Sequence, residues 1–160
     1  MRCAVCGQDH PDDEIELTYV QPDAIFGLSA AQRSARVKEN PDFAVLDDSR
    51  FFVRAVLPIP VRGRRREYNI GVWAELDEAS FQRVVERWED EDQANEPAMP
   101  GKLANSIRSQ ARTLGLDVAL RLTGLATRPS VRVVSELHPL HGEQTAGVSV
   151  HRIQDYRPGT

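Results

Sequence analysis

The chain has 160 residues, a hydrophobic content of 41%, a charged content of 28% and a formal net charge of −4. That length suits one domain, which buries about 70% of its unfolded surface and has a core without needing a disulfide. The negative balance disfavours nucleic acid, whose non-specific binding needs excess Lys and Arg, and no apolar run approaches the ~18 residues that cross a bilayer.

Residues 1–13 read as a polar, turn-rich knuckle, without the apolar stretch of a secretion signal. The expected localisation is therefore cytoplasmic, where Cys3 and Cys6 stay reduced unless bound or catalytic. Ile15, Leu17 and Tyr19 alternate and predict a short half-buried strand. Ser29 with Gln32 forms a capping-box pattern, and the helix it opens runs to about Glu39, before Pro41. Strands follow over 43–46 and 51–61, the second rich in aromatic and β-branched residues. Pro58 and Pro60 place its end at a sheet edge or bulge. Arg62–Arg66 forms a hairpin loop, and Tyr68–Leu76 is the returning strand. Asp77 caps a helix that carries Phe81, Val84, Val85 and Trp88 on one face.

The acidic stretch 89–100 reads as loop. Leu116–Leu122 alternates, Arg128-Pro129 breaks the pattern, and Val131–Val134 resumes as a strand. His138–Gln144 is a short helix, Val148–Ile153 alternates again, and 157–160 form a frayed tail. There is no linker or repeat. The fold class expected is α+β: a single domain over 1–160, its antiparallel or mixed sheet covered by helices packed on one face and preceded by a Cys-x-x-Cys knuckle.

Cys3-x-x-Cys6-Gly7 with His10 is the sharpest local feature. Two thiolates at this spacing hold one zinc ion, and the glycine lets the backbone turn tightly around it. A structural site needs four ligands. His10 offers a third and His138 a fourth, with His141, three residues on, as the lesser candidate. Metal-free reduced thiols explain the pair equally well; a redox pair is the weaker reading, since such a motif normally follows a strand and opens a helix. Arg62–Arg66, with four arginines in five residues, suits either a phosphate contact or a solvated loop facing Glu89–Asp92; the charge balance favours the loop. Phe51, Phe52, Trp73 and Trp88 read as core. Glu143 and Gln144 complete a polar cluster in which Glu143 could serve as a base. Walker A, G-x-G-x-x-G, G-x-S-x-G and H-E-x-x-H signatures are absent.

In order, Cys3-x-x-Cys6-Gly7 with His10, Phe51-Phe-Val-Arg54, Ile59-Pro-Val61, Gly71-Val-Trp73, Phe81 with Trp88, Glu96-Pro97, Arg128-Pro129 and His138-Pro-Leu140 with Glu143-Gln144 resemble the bacterial DUF2199 family, over about residues 2–154. The resemblance implies a stand-alone bacterial domain and brings no activity, cofactor or catalytic residue. The family pattern carries a cysteine near Phe43 and Ala44, where this chain reads Asp42-Phe-Ala-Val-Leu-Asp47; Cys3, Cys6 and His138 keep family-like positions.

Three functions remain in view. One is a non-catalytic binding or interaction module with an unidentified protein partner and a structural zinc at Cys3, Cys6, His10 and His138. Another is a zinc-dependent, hydrolase-like enzyme with its site near Cys3, Cys6, His138 and Glu143. The third is a toxin-neutralising, immunity-type protein.

Overall fold

A computed structural model describes residues 15–157. Cys3, Cys6 and His10 lie outside these residues. The central feature is a long antiparallel hairpin of β4 (Arg50–Ile59) and β5 (Tyr68–Leu76), in register from Phe51↔Leu76 to Ile59↔Tyr68. Successive side chains of each strand point to opposite faces, and both faces are largely buried. Val53, Ala55, Leu57 and Ile59 share one face with Tyr68, Ile70, Val72 and Ala74, and all eight are buried in one core. Period-two patterning of this kind commits one face of the hairpin to the interior.

The hairpin is longer than any of its neighbours. β6 (Met99–Leu103), β7 (Asp117–Arg121) and β8 (Ser130–Val133) continue from β5 as an antiparallel meander, and β8 returns to pair in parallel with β4 at Val56↔Ser130. The result is a closed five-stranded barrel, not a sheet with helices on one face. Met99, Leu103, Val118, Leu120, Val131 and Val133 complete its filled interior. β1 (Leu17–Thr18) pairs in parallel with β5, and β3 (Phe43–Leu46) and β2 (Val37–Glu39) extend the sheet beyond β4.

Helices cover the two ends. α3 (Glu78–Arg87) sets Phe81 against Phe43 and Phe51, with ring centroids 5.6 and 5.1 Å apart. At the other end, α5 (Val150–Tyr156) stacks Tyr156 on Tyr68 at 5.8 Å, and α4 (Pro139–Ala146) buries Leu140 and Gln144. α1 (Asp23–Phe26) buries Ile25 in a second core outside the barrel, with Phe52, Trp73 and Ala104. α2 (Ala30–Arg36) opens with the predicted capping box at Ser29 and Gln32.

Closure requires β4 to change partners along one edge. Arg54 donates its N–H to Asp42 O at 2.9 Å and Val56 to Pro129 O at 2.8 Å. Beyond Val56 the ladder ends. The Gln144 side chain takes over: its Nε2 donates to Pro58 O and Val131 O, both at 3.1 Å, and its Oε1 accepts from Val133 N–H at 2.8 Å. Pro58 has no N–H to lose on this edge. Pro60 O then accepts from Val148 N–H at 2.9 Å. Gly147 (φ 81°) is required here, because a Cβ would lie 3.1 Å from Pro60 O. Asn105, fully buried, repairs the outer edge of β5 in the same way: its Oδ1 accepts from Trp73 N–H at 2.8 Å, and its Nδ2 donates to Gln21 O at 2.8 Å.

Three local expectations are corrected. The helix from Ser29 ends at Arg36, because Val37 enters the ladder opposite Leu46. Stretch 89–100 contains a 3₁₀ turn (Gln93–Asn95) and the start of β6. Pro100 and Gly101 hid that strand, yet a Cβ on Gly101 would lie only 2.7 Å from Leu76 Cδ2. Val148–Ile153 is not a strand: Ser149 accepts from Arg152 N–H and starts α5, which buries Ile153 and Tyr156.

Gln144→Leu keeps the volume but leaves Pro58 O, Val131 O and Val133 N–H buried without that partner. Urea unfolding should show a loss of about 3 kcal/mol with an unchanged m value.

Candidate functional site

Of the sequence-predicted residues that are described, His138 and Glu143 meet the loop 105–115 at the α4–α5 end. Glu143 on α4 receives three side chains: Tyr156 O–H and Arg152 Nε reach Oε1 at 2.9 and 3.1 Å, and Gln110 Nε2 reaches Oε2. Arg152 also donates to Ser109 O and Oγ, both at 2.8 Å, and its guanidinium lies over the Tyr156 ring, 4.6 Å from the centroid. Ser109 is left-handed (φ 64°), a conformation rarely adopted by non-glycine residues. The Glu143 carboxylate is thus held in an ion pair and hydrogen-bonded on both oxygens, so it fastens α5 to the barrel.

His138 is the N-cap of α4. Its Nδ1 accepts from Leu140 N–H at 3.0 Å, and its Nε2 lies 3.0 Å from Arg112 O and 3.3 Å from Ala111 O. Carbonyls only accept, so this geometry requires the Nε2–H tautomer. His141 sits half-buried on the next turn. Among the described residues no three His, Cys, Asp or Glu side chains are placed to hold a metal, and no helix is long and apolar enough to cross a membrane. Of the arginine-rich loop, Arg62 Nη1 donates to Gly147 O at 3.1 Å and Arg66 pairs with Glu16 at 2.5 Å, whereas Asp90 in the acidic stretch pairs with Arg87.

A second feature, not foreseen from the sequence, is a cleft of about 210 Å³ where β3 leaves the β4 edge and β8 joins it. Asp42, Trp88, Gln93 and residues 124–128 line it. Its walls are pinned. Trp88 packs edge-on against Phe43 at 4.7 Å. Buried Gln93 donates to Arg87 O and Trp88 O at 3.1 and 2.9 Å and accepts from Gly124 N–H at 3.2 Å. Thr123 Oγ1 donates to Arg128 O at 2.9 Å. Asn40 Oδ1 fixes the Asp42 turn by accepting from Asp42 and Phe43 N–H at 2.9 and 2.8 Å. Trp88, expected in the core, packs against it half-buried and also forms one wall of the cleft.

A family model described as "Uncharacterized protein conserved in bacteria (DUF2199)" matches residues 2–148. The chain belongs to the DUF2199 family. No curated protein and no solved structure matched the chain. The DUF2199 match spans the barrel, the cleft and Gln144 but ends before Arg152 and Tyr156, so half of the Glu143 network lies beyond it.

The three tyrosines of this DUF2199 chain are Tyr19, Tyr68 and Tyr156. All are held above the ordinary phenol range, chiefly because burial disfavours the phenolate. Glu16 adds to this at Tyr68 and Glu143 at Tyr156, while a hydrogen bond from Arg108 N–H opposes it at Tyr19. A raised folded-state value contributes stability that is fully present below the unfolded value of about 10 and is lost as pH rises through the folded values. Ultraviolet titration of the native protein should therefore show no tyrosine ionising near pH ~10 until it unfolds, whereas in concentrated urea all should titrate there.

Proposed function

We propose that this DUF2199 protein is a non-catalytic binding module whose N-terminal segment is organised by a structural zinc. The observation that carries the first part is the employment of Glu143 and His138. Acid–base chemistry needs a carboxylate and an imidazole within reach of a substrate. Here Glu143 holds Arg152, Tyr156 and Gln110, and both His138 nitrogens are engaged by backbone.

The zinc reading rests on the donor chemistry of Cys3, Cys6 and His10. The described chain starts beside the same end: Glu16 N–H donates to Asn69 O at 3.0 Å, and Tyr19 O–H accepts from Arg108 N–H at 2.9 Å. His138 completes the set only by giving up a ring-nitrogen contact. His141, whose ring makes no hydrogen bond among the described residues, completes it without that cost.

Elemental analysis of tag-free full-length protein, purified without chelator, should find about one zinc per chain. The Cys3→Ala, Cys6→Ala double variant should lose it while keeping the barrel's urea midpoint. Absence of zinc from the parent protein, or equal zinc in both, would overturn the metal assignment.

A further inference from the structure

We propose that a second cleft, over Phe52 and Leu103, binds a small, uncharged, apolar molecule. The inference deepens the reading of the chain as a binding module and does not rest on the zinc. The cleft holds about 330 Å³. An apolar cavity of ~150 Å³ takes up benzene, and pockets for drug-sized ligands begin near ~300 Å³, so a compact aromatic or aliphatic molecule fits. Its surface is mainly carbon: Phe52, Leu103 and Ala104 form the floor, with Ala24 of α1 and Leu114 beside them. Leu114 is 48% exposed at the lip.

The site is built in advance. Phe52, Glu75 and Lys102 are cross-strand neighbours on β4, β5 and β6. On the α1 side, Asp23 N–H donates to Ala104 O at 2.9 Å, and the Asp23 carboxylate accepts from Asn105 Nδ2 and Ser106 N–H at 3.2 and 2.9 Å. On the Leu114 side, Gly115 N–H donates to Leu103 O at 2.7 Å and Leu103 N–H to Leu116 O at 2.8 Å. Little ordering is left to oppose binding.

The charges at the mouth decide the class of ligand, because each is already satisfied within the chain. Arg50 Nε and Nη2 donate to the two oxygens of Glu75 at 2.9 and 2.8 Å, and the Arg50 guanidinium lies over the Phe52 ring, 5.4 Å from its centroid. Lys102 Nζ pairs with Asp117 at 2.6 Å, and both Asp23 oxygens are engaged. A carboxylate that drew Lys102 away from Asp117 would face Glu75 and Asp23 as like charges. An ammonium would face Arg50 and Lys102. Opposed signs around an apolar floor therefore select against both kinds of ion, and burial of apolar surface supplies the affinity.

Benzyl alcohol, benzoate and benzylamine are a matched set of probes that differ in charge. In methyl NMR spectra of full-length protein, benzyl alcohol at millimolar concentration should shift the Leu103 and Leu114 signals saturably. Benzoate and benzylamine should bind at least about tenfold more weakly. Leu114→Glu, which sets a charge on the lip, and Ala24→Leu, which fills the cleft, should each weaken benzyl alcohol by a similar factor. An unmoved Trp88 indole signal in those variants reports an intact fold. Absence of a saturable shift in the parent protein would overturn the proposal, as would equal binding of all three probes or unchanged binding by both variants. Leu114 signals that move with protein concentration in the absence of any probe would also overturn it, in favour of a second copy of the chain as the occupant. Binding should persist in the Cys3→Ala, Cys6→Ala variant, which separates failure of this site from failure of the zinc assignment.

Discussion

The structure depends on how the β4–β5 hairpin satisfies its two outer edges. A buried backbone N–H or C=O without a partner costs about 1–3 kcal/mol, and long strands present many of them. No single neighbour is long enough to serve either edge. β4 is met in turn by Asp42, Pro129, the Gln144 side chain and Val148. β5 is met by β1, the Asn105 side chain and β6. Two buried amides stand where one strand hands over to the next, and their side chains substitute for the missing ladder bonds. These handovers let a hairpin buried on both faces curl into a closed barrel.

The same handovers place the features of functional interest. The amide of Gln144 fixes α4 against the barrel seam, and α4 then sets His138 and Glu143 over the loop 105–115. The departure of β3 from the β4 edge just before β8 arrives leaves the notch lined by Asp42 and Arg128. Gln93, a third buried amide, holds the end of α3 to the loop before β8 and thereby positions Trp88. The cleft is a consequence of closing a barrel with strands of unequal length.

Much of this was legible in the sequence where the signal is local. Alternation found β1 and β7, aromatic and β-branched content found β4, and caps at Ser29 and Asp77 found two helices. β6 was hidden because Pro100 and Gly101 read as turn residues; only the approach of Leu76 explains the glycine. α5 was hidden because Val148 and Val150 alternate, although Val150 proves exposed. Closure was not legible, because it relies on side chains such as Gln144 reaching backbone 86 residues away in sequence. Glu143 and Gln144 stood out as polar neighbours, but adjacency could not reveal that one fastens α5 and the other the barrel seam. The cleft draws on three separated segments, so no motif announced it.

Amide hydrogen exchange tests the central claim most directly. If the buried amides complete the sheet edges, the N–H groups of Val133 and Trp73, whose acceptors are the Gln144 and Asn105 side chains, exchange only by global unfolding. They should then match the slow ladder amides between β4 and β5. Exchange of either group orders of magnitude faster, through local opening, would contradict the account and show that the barrel closes without them.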